Sequence, residues 1–467
     1  MSITPGHLPK LIICLFLNSV LPAYAQSAGE QVSSAPELQL GQAAALLLPV
    51  AAWAEESRQR TAPKLLFIEA AIVTAVDGNP SLAEMQARYE ALAEIPSQLG
   101  TLPDPILSLN AMNLPTDTFN VGQEAMTQMQ VGISQAIPFP GKLALREGAS
   151  EYEALAAGFS VDEARLLLIR NVRSSWWQLY FLDRSLEIVD SNQDLLRQFI
   201  GVAKTKYEVG DGLQQDVLLA QLELSKLIDQ KIKLKAVRRN QAIQLNLLMD
   251  APPNDALALP PKVSQDMPEI ADEKTLYERA ETIRPLLKQK EHDIHAAQSR
   301  LELARKQYYP DFKLGVAYGN RSGDNPLPRG GARSDFLSVM FSFNLPIHSK
   351  RRLERAVSQR RLEVQKRRYS LRDEWGVVRS EISSATTDYF AARELFMLFQ
   401  SGIVPQARQT VSSMLAGYQV SEVDFLNLVG SQVTLLNYEV QYWKALTEAN
   451  QALARLDAAV GERVSHE

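Results

Sequence analysis

QVGISQAIPFPGK, from Gln130 to Lys142, marks a change of secondary structure, because an alternating hydrophobic pattern ends in it and a long helical pattern begins. A second stretch of the same kind, SVMFSFNLPIHSK, runs from Ser338 to Lys350. Each is followed by a long helical sequence that reverses direction once, at YEVGDG (207–212) in the first copy and at YQVSEV (418–423) in the second. The chain is therefore duplicated internally, and an internal repeat outranks local signals in predicting an architecture.

The two copies align without gaps across their turns, which pairs Tyr207 with Tyr418, Gly210 with Ser421 and Asp216 with Asn427. On this basis the first repeat covers residues 64–262 and the second covers residues 263–467. The first repeat should contain an opening helix, strands over about 105–115 and 125–138, and a helical hairpin over about 140–250. The second should contain a helix over about 272–308, strands over about 311–321 and 334–346, and a hairpin over about 350–460.

The N-terminus has the pattern of a secretory signal peptide over residues 1–25. Lys10 is the basic flank, an apolar run follows it, and Ala23-Tyr24-Ala25 is a small-residue cleavage site. Residues 26–63 are then a linker, in which a second apolar run ending at Ala54 offers an alternative cleavage site. The one cysteine, Cys14, lies inside the signal peptide, so we expect a mature chain without a thiol, a disulfide or a lipid anchor.

The charge balance gives no sign of a nucleic-acid partner. The chain has 467 residues, with 49 Lys and Arg against 54 Asp and Glu and a formal net charge of -5. A basic stretch between Lys350 and Arg372 is interpreted as a solvated helix surface with some contact to anionic lipid. The sequence contains no nucleophile elbow, phosphate loop, HExxH motif or cysteine-based metal site, so we expect neither an enzyme nor a cofactor.

Four segments alternate with period two, as strands with one apolar face do. In the clearest of them, residues 336–345, Leu337, Val339 and Phe341 share a face opposite Ser338 and Ser342. Each segment has about the 9–11 residues that a tilted strand needs to cross a membrane. A soluble antiparallel sheet with one covered face would have the same local pattern.

Four strands are too few to close a barrel. The smallest single-chain barrels have about eight strands, and an open strand edge in lipid leaves backbone groups unpaired at several kcal/mol each. If these strands cross a membrane, several copies of the chain must therefore share one barrel. The strand count leaves the number of copies open.

The helical segments are too long for an ordinary globular domain. After Pro140 the sequence has no proline until beyond Lys204, and roughly 65 residues at about 1.5 Å each would make nearly 100 Å of helix. Apolar residues recur three and four positions apart along this segment, and Trp176 and Trp177 among them are expected to serve helix packing. Two arrangements stay open: a solid coiled-coil stalk, or a tube in which each helix has two contact faces.

These residues resemble the TolC-like outer-membrane efflux family. The motifs that carry the resemblance are NPSL (79–82), SQAIPFPGK (134–142), the two turns, and DVLLAQLEL (216–224) with its counterpart NLVGSQVTL (427–435). They cover about residues 65–461. The resemblance implies a mainly α-helical fold with a membrane β part, in which three chains with four strands each build a twelve-stranded β-barrel and a twelve-helix α-barrel.

The resemblance also implies a function and partners. The homotrimer would stand in the outer membrane, in contact with its lipid, and extend into the periplasm as the exit duct of a tripartite efflux pump. Its partners would be a periplasmic adaptor protein and an inner-membrane pump. PDPILSL (103–109) and EAMTQMQ (124–130) look most like members that work with heavy-metal resistance-nodulation-division pumps. A type I protein-secretion duct, a drug-efflux duct of the same fold and a soluble periplasmic coiled-coil scaffold stay open as alternatives.

In such a family the two turns form the periplasmic tip, where the adaptor docks and the gate closes. The residues implied for docking and gating are Tyr207, Gly210, Asp216, Tyr418, Ser421 and Asn427. Asp216 matches a position that rings the pore as a carboxylate, although an acid at a helix start also simply complements the helix dipole. Asn427, Gly430 and Val423 depart from the charged pattern of the family, so we expect fewer ionic ties in the closed tip.

Two groups of potential metal ligands have simpler interpretations. His292 and His295 are spaced i, i+3 on an expected helix, but no third ligand is evident. Met112, Met126 and Met129 lie near the first strand pair, where methionine is a common apolar filler. We therefore expect no bound metal.

Overall fold

The two strand pairs join into one antiparallel sheet in a computed structural model, which describes residues 65–464. The strand order is β1 (Ile106–Met112), β2 (Gln128–Ile137), β3 (Phe312–Asn320) and β4 (Phe336–Phe343), so β1 and β4 form the two edges. Each strand is shorter than the segment expected from sequence, because pairing ends where the polar connections begin. The expected signal peptide (1–25) and linker (26–63) lie outside the described residues.

The sheet has one face of large apolar side chains and one of small side chains. The register places Leu107, Ile133, Val316 and Val339 in one row across the four strands. The flanks of this row are open: Leu107 is 68% exposed and Val339 is 75% exposed. On the opposite face a Cβ built on Gly132 would lie 3.0 Å from both the Ala317 Cβ and the Ser108 Oγ. The sheet therefore crowds its small residues together, and within the described part of the chain its apolar face is uncovered.

Helices make up most of the rest of the described chain. They are α1 (Ile68–Gly78), α2 (Pro80–Ala93), α3 (Ile95–Gly100), α4 (Lys142–Glu208), α5 (Gln214–Leu248), α6 (Glu273–Ile283), α7 (Pro285–Lys306), α8 (Glu354–Leu398), α9 (Val404–Gln419) and α10 (Phe425–Val460). The 67 residues of α4 span about 100 Å at about 1.5 Å each. The expected mainly helical fold with four strands and duplicated long hairpins is confirmed.

The first long helix, α4, is the spine of the chain. It packs along α5 and α10 on the hairpin side and along α7 near the sheet, while α1, α2 and α3 lie against it. Asn79 caps the start of α2, because its side chain accepts hydrogen bonds from the Ser81 and Leu82 backbone amides at 3.0 and 3.2 Å. Its amide group also donates to the Leu248 carbonyl at 3.1 Å, which fixes the opening helices to the end of the first hairpin.

The largest core cluster lies around the middle of α4. Trp176 is 2% exposed and stacks with Tyr180 at 5.6 Å between ring centroids, and Trp177 meets both rings edge-on. The Trp176 indole donates to the Leu66 carbonyl at 3.0 Å, so the segment before α1 is held against the core. The prediction that the two tryptophans serve helix packing is confirmed.

The prediction of a single helix over about 272–308 is wrong. The structure has two helices, α6 and α7, with Arg284 between them in an extended conformation at φ -57° and ψ 117°. Pro285 causes the break, since proline lacks a backbone N–H and disfavours helical geometry in the residue before it. The break aims the Arg284 guanidinium inward, where it donates to both carboxylate oxygens of Glu163, at 3.0 and 2.7 Å, as a buried pair.

The second hairpin is also interrupted, but it stays helical. Pro405 lies in the first turn of α9, and a π-helical turn over Phe399–Ile403 lies just before it. The wider turn relieves the clash that a proline ring makes with the carbonyl four residues earlier.

No helix among residues 65–464 is long and apolar enough to cross a membrane.

Candidate gate at the hairpin tip

The hairpin tip consists of two turns, residues 207–213 and residues 418–424, each of which includes the last two residues of the helix before it (α4 or α9) and ends where α5 or α10 begins. They have the same backbone hydrogen bonds: the Gly210 amide donates to the Tyr207 carbonyl at 3.1 Å, and the Ser421 amide donates to the Tyr418 carbonyl at 3.2 Å. Gly210 has φ +86° and Ser421 has φ +65°. Because the left-handed region costs a side-chain-bearing residue roughly 1–2 kcal/mol, the second turn keeps its shape against a local penalty that the first turn avoids.

Tyr418 and Asp216 join the two turns directly. Tyr418 is 5% exposed, its ring packs on Phe425 at 5.1 Å, and its hydroxyl donates to Asp216 Oδ2 at 3.3 Å. Burial raises the pKa of Tyr418 to about 12, and the negative charge of Asp216 and the hydrogen bond to it act in the same direction. The phenol therefore remains protonated and able to donate throughout the physiological pH range.

Lys206, which sequence reasoning missed, also joins the two turns. Its ammonium group donates to the Tyr418 carbonyl at 2.6 Å and to Ser421 Oγ at 2.7 Å, and it lies 4.8 Å from the centre of the Tyr418 ring. A lysine near the end of α4 is an ordinary surface residue in sequence, so no local pattern marks it. The repeat alignment does hold a signal, because the position equivalent to Lys206 in the second copy is Gly417 and carries no side chain.

A complementary pair of glycines explains that difference between the copies. In the first copy a Cβ on Gly212 would lie 2.9 Å from the Lys206 Cβ, and in the second a Cβ on Gly417 would lie 2.6 Å from Val423 Cγ2. Residues 206 and 212 of the first copy align with 417 and 423 of the second. These two positions touch in both turns, and each turn has glycine at one of them. A Cβ on Gly212 would also lie 2.9 Å from the Tyr207 backbone nitrogen, so each turn needs a glycine at one of the two positions.

The remaining predicted tip residues lie at the surface. Tyr207 and Asn427 are exposed, as is Gly430. Asn427 occupies the position equivalent to Asp216, yet no hydrogen bond links its side chain to the other turn among the described residues. The structure thus joins Asp216 to Tyr418 through the phenol hydroxyl and joins Lys206 to Tyr418 and Ser421, and it leaves Tyr207 and Asn427 facing outward.

The histidine pair lies far from the tip, in an aromatic cluster. His292 stacks on Phe159 at 5.2 Å, and His295 stacks on Tyr152 at 5.2 Å. Burial lowers the pKa of His292, and the neighbouring His295 lowers it further, so the neutral ring is favoured. In the part of the chain that the structure covers, no group of three or more His, Cys, Asp or Glu side chains is placed to hold a metal ion.

Comparison with solved structures identifies the fold. The outer membrane protein VceC from Vibrio cholerae is 18% identical to this chain with a TM-score of 0.70, and the match covers 85% of this chain and 97% of the VceC chain. CusC, described for its transmembrane channel formation, is 16% identical with a TM-score of 0.71, covering 85% and 92%. The MtrE outer membrane channel of Neisseria gonorrhoeae, in its open state, is 14% identical with a TM-score of 0.70, covering 85% and 89%.

Sequence comparison identifies the family. No curated protein sequence is significantly similar to the chain. The structural neighbours are channels rather than enzymes, and the resemblance to TolC-like outer-membrane efflux proteins is confirmed. Residues 71–250 and 276–462 match the family model described as outer membrane efflux protein, so the chain belongs to the outer membrane efflux protein family.

Proposed function

We propose that three copies of this chain form the outer-membrane exit duct of a tripartite efflux pump. The observation that carries the proposal is the four-stranded sheet, which has an uncovered apolar face and two unpaired edges, β1 and β4. The duct would conduct its cargo passively, while a periplasmic adaptor protein and an inner-membrane pump would provide selection and energy.

The sheet edges support the sharing of one barrel between copies. In lipid, each unpaired backbone N–H or C=O group costs several kcal/mol. The free edges of β1 and β4 would carry this cost if the chain stood alone in a membrane. Pairing β4 of one copy with β1 of the next removes both free edges at once. Three copies contribute twelve strands, within the range of closed membrane barrels.

The long helices support the tube rather than the solid stalk. The buried face of α5, which includes Ala220 and Leu245, packs on the rest of the chain. Six large apolar side chains of α5 are exposed among the described residues, and four of them form a second apolar set: Leu218, Leu222, Ile232 and Leu247. These four fall within roughly 80° of one another at about 100° per residue, on the side opposite the buried face. A helix with two opposed apolar faces has a neighbour on each side, as the wall of a tube requires.

We assign the gate and the adaptor-docking surface to the hairpin tip. Asp216, Tyr418 and Ser421 would hold the second turn to the first in the closed duct, together with Lys206. Gly210 allows the tight reversal of the first turn. Tyr207 and Asn427 are exposed beside the turns and would meet the adaptor. Adaptor binding would then compete with the contacts that keep the two turns together.

For the cargo we propose heavy-metal ions. This rests on the resemblance of PDPILSL (103–109) and EAMTQMQ (124–130) to family members paired with heavy-metal pumps. A strain lacking the gene should become more sensitive to heavy-metal salts and regain resistance when the gene is restored. If sensitivity to drugs rises and sensitivity to metals does not, the proposed cargo is wrong, whereas the proposal of an efflux duct is unaffected.

The duct itself is tested by electrical recording. Purified mature protein should require detergent for extraction and should give discrete conductance steps when added to a planar lipid bilayer. Protein that extracts in buffer alone and never conducts would instead be the soluble scaffold. The matched control is a variant with Ile133→Asp and Val316→Asp on the apolar face, which should fail to insert because charged side chains are costly at the lipid surface of a barrel.

A further inference from the structure

The junction between sheet and helices holds a built contact between the two repeats. Lys142, at the start of α4, is fully buried, and its ammonium group donates to Asp311 Oδ1 and to the Tyr309 carbonyl, both at 2.8 Å. Beside this ion pair, the Phe139 ring stacks on Tyr309 with ring centroids 4.6 Å apart. The contact therefore joins the residues that follow β2 to the residues that precede β3.

The duplication places a second set of these residues at the outer strands. Lys142 and Lys350 stand at the same position after β2 and β4, 208 residues apart, and Phe139 corresponds to Ile347. Before the strands, Pro103-Asp104 corresponds to Pro310-Asp311, 207 residues apart, and Leu102 corresponds to Tyr309. One half of the second set follows β4, and the other half precedes β1.

The second set has no partner among residues 65–464 of the same chain. Among residues 65–464, neither Lys350 nor Asp104 makes a side-chain hydrogen bond or an ion pair, and both are exposed. Ile347 is 76% exposed and Leu102 is 48% exposed, although both are apolar. An acid, a base and two apolar side chains thus stand unpaired at the two free edges of the sheet, in the positions that a matching junction would fill.

We propose that β4 of one copy pairs with β1 of the next copy in the register of β2 and β3, closed by an ion pair from Lys350 to Asp104 and by contact of Ile347 with Leu102. The inference rests on the proposed trimeric duct and adds its subunit interface. The partner is a second copy of this chain, because the missing half of each junction lies at the opposite edge of the same sheet. The two edges of one four-stranded sheet cannot meet each other.

The register follows from the pairs seen inside the chain. Ser134 faces Gly315 between β2 and β3, and the equivalent positions at the interface are Ser342 and Ser108. The same shift places Phe341 opposite Leu109 and Phe343 opposite Leu107, which keeps all four on the apolar face. A register one residue away would turn one strand over and put these side chains on the crowded small-residue face.

The local backbone differs between the copies without removing the contact. Gly141 precedes Lys142 with φ +84°, whereas Ser349 begins a π-helical turn that contains Lys350. The four-carbon stem of lysine is long enough to absorb a change of this kind. An anionic lipid headgroup is the other possible partner for Lys350, and it would not involve Asp104.

Engineered disulfides test the register. A Cβ on Gly315 would lie 3.2 Å from the Ser134 Cβ, close to the roughly 3.5–4.5 Å that a disulfide needs, so Ser108→Cys with Ser342→Cys should link neighbouring copies. Under oxidation most of the protein should migrate as a covalent trimer in denaturing gels without reductant. The two single-cysteine variants control for disulfides formed by Cys14. A second control combines Ser108→Cys with Ser338→Cys. These two positions are about 13 Å out of register at roughly 3.3 Å per residue, so this variant should stay monomeric in the denaturing gel.

Each outcome of the disulfide test decides one point. Protein that is trimeric under native conditions but is linked by the Ser338 pair, or by neither pair, overturns the proposed register and leaves the duct standing. Protein that is monomeric under native conditions overturns the duct itself.

A charge exchange tests the ion pair. Lys350→Glu should lower the temperature at which trimers dissociate into monomers, and adding Asp104→Lys should restore at least half of the loss. Arg351→Glu is the control, since it makes the same charge change at an exposed neighbour and should not be restored by Asp104→Lys. Strictly additive effects of the Lys350 and Asp104 changes would show that the two side chains do not meet, and would assign Lys350 to lipid.

Discussion

Replacing Lys206 with methionine should detach the two turns of the hairpin tip from each other. The variant keeps the unbranched stem and removes the ammonium group that donates to the Tyr418 carbonyl and to Ser421 Oγ, at 2.6 and 2.7 Å. The positive charge near the Tyr418 ring, 4.8 Å from its centre, is lost as well. Lys206→Met therefore removes the hydrogen bonds and the cation–π contact that this side chain makes with the second turn.

The size of the effect follows from these contacts. Hydrogen bonds to charged groups are worth roughly 1.5–3 kcal/mol each, and a cation near an aromatic face at the surface adds about 0.5–1 kcal/mol. Lys206 is only partly buried, so water replaces much of this interaction when the turns separate. A net value of about 2 kcal/mol is a reasonable expectation, and at about 1.4 kcal/mol per tenfold change it shifts the equilibrium towards separated turns roughly 30-fold.

Single-channel recording measures this shift. If the tip gates the duct, the fraction of time that the variant conducts should rise by at least tenfold over the unmodified protein. Lys204→Met is the matched control, because Lys204 is exposed and pairs only with Glu208 of its own helix, at 3.7 Å. A conducting fraction within twofold of the unmodified protein, with unchanged hydrogen exchange at the amides of the two turns, would refute the reasoning.

Three further predictions concern the tip and the core. Asp216→Asn should lower the pKa of Tyr418 from about 12 while burial keeps it above 10.0, because the negative charge is removed and the hydrogen bond loses its charged acceptor. In the unmodified protein the hydrogen bond of the neutral phenol is fully present below pH 10 and is lost as the pH rises towards 12. NMR of ring-labelled tyrosine would follow this titration in both proteins. Gly417→Ala should destabilise the second turn by about 1–3 kcal/mol, although helix propensity alone favours alanine by about 1 kcal/mol. Amide hydrogen exchange would measure this loss of stability, and adding Val423→Ala should reverse it. Arg284→Met should cost about 3–5 kcal/mol in chemical unfolding because it leaves a buried carboxylate unpaired, whereas the same change at an exposed ion-paired arginine should cost under about 1 kcal/mol.

Sequence periodicity was enough to predict the strands and the long helices. Alternation in β4 and the unbroken apolar stripe of α4 are local properties that survive in the folded chain. The break at Arg284 was not predicted, because a proline that starts a new helix and a proline that kinks one look alike in sequence. The apolar pattern continues on both sides of Pro285, and the burial of Arg284 beside Glu163, which the break allows, is visible only in three dimensions.

The tip was only partly predictable. Tyr418 and Asp216 were found through the repeat and the family motifs, and the structure brings them together. Lys206 was missed because its importance depends on the second turn, which is more than two hundred residues away in sequence. The junction residue Asp311 was missed for the same reason, although its repetition at Asp104 was visible in the sequence. Contacts between the two repeats need the three-dimensional arrangement, since no local pattern encodes them.

Native mass spectrometry of the mature protein in detergent would show whether the chains share one ring. We expect a complex of three chains that persists until the detergent is stripped or the protein is heated. A single chain, stable and monodisperse without detergent, would contradict this expectation.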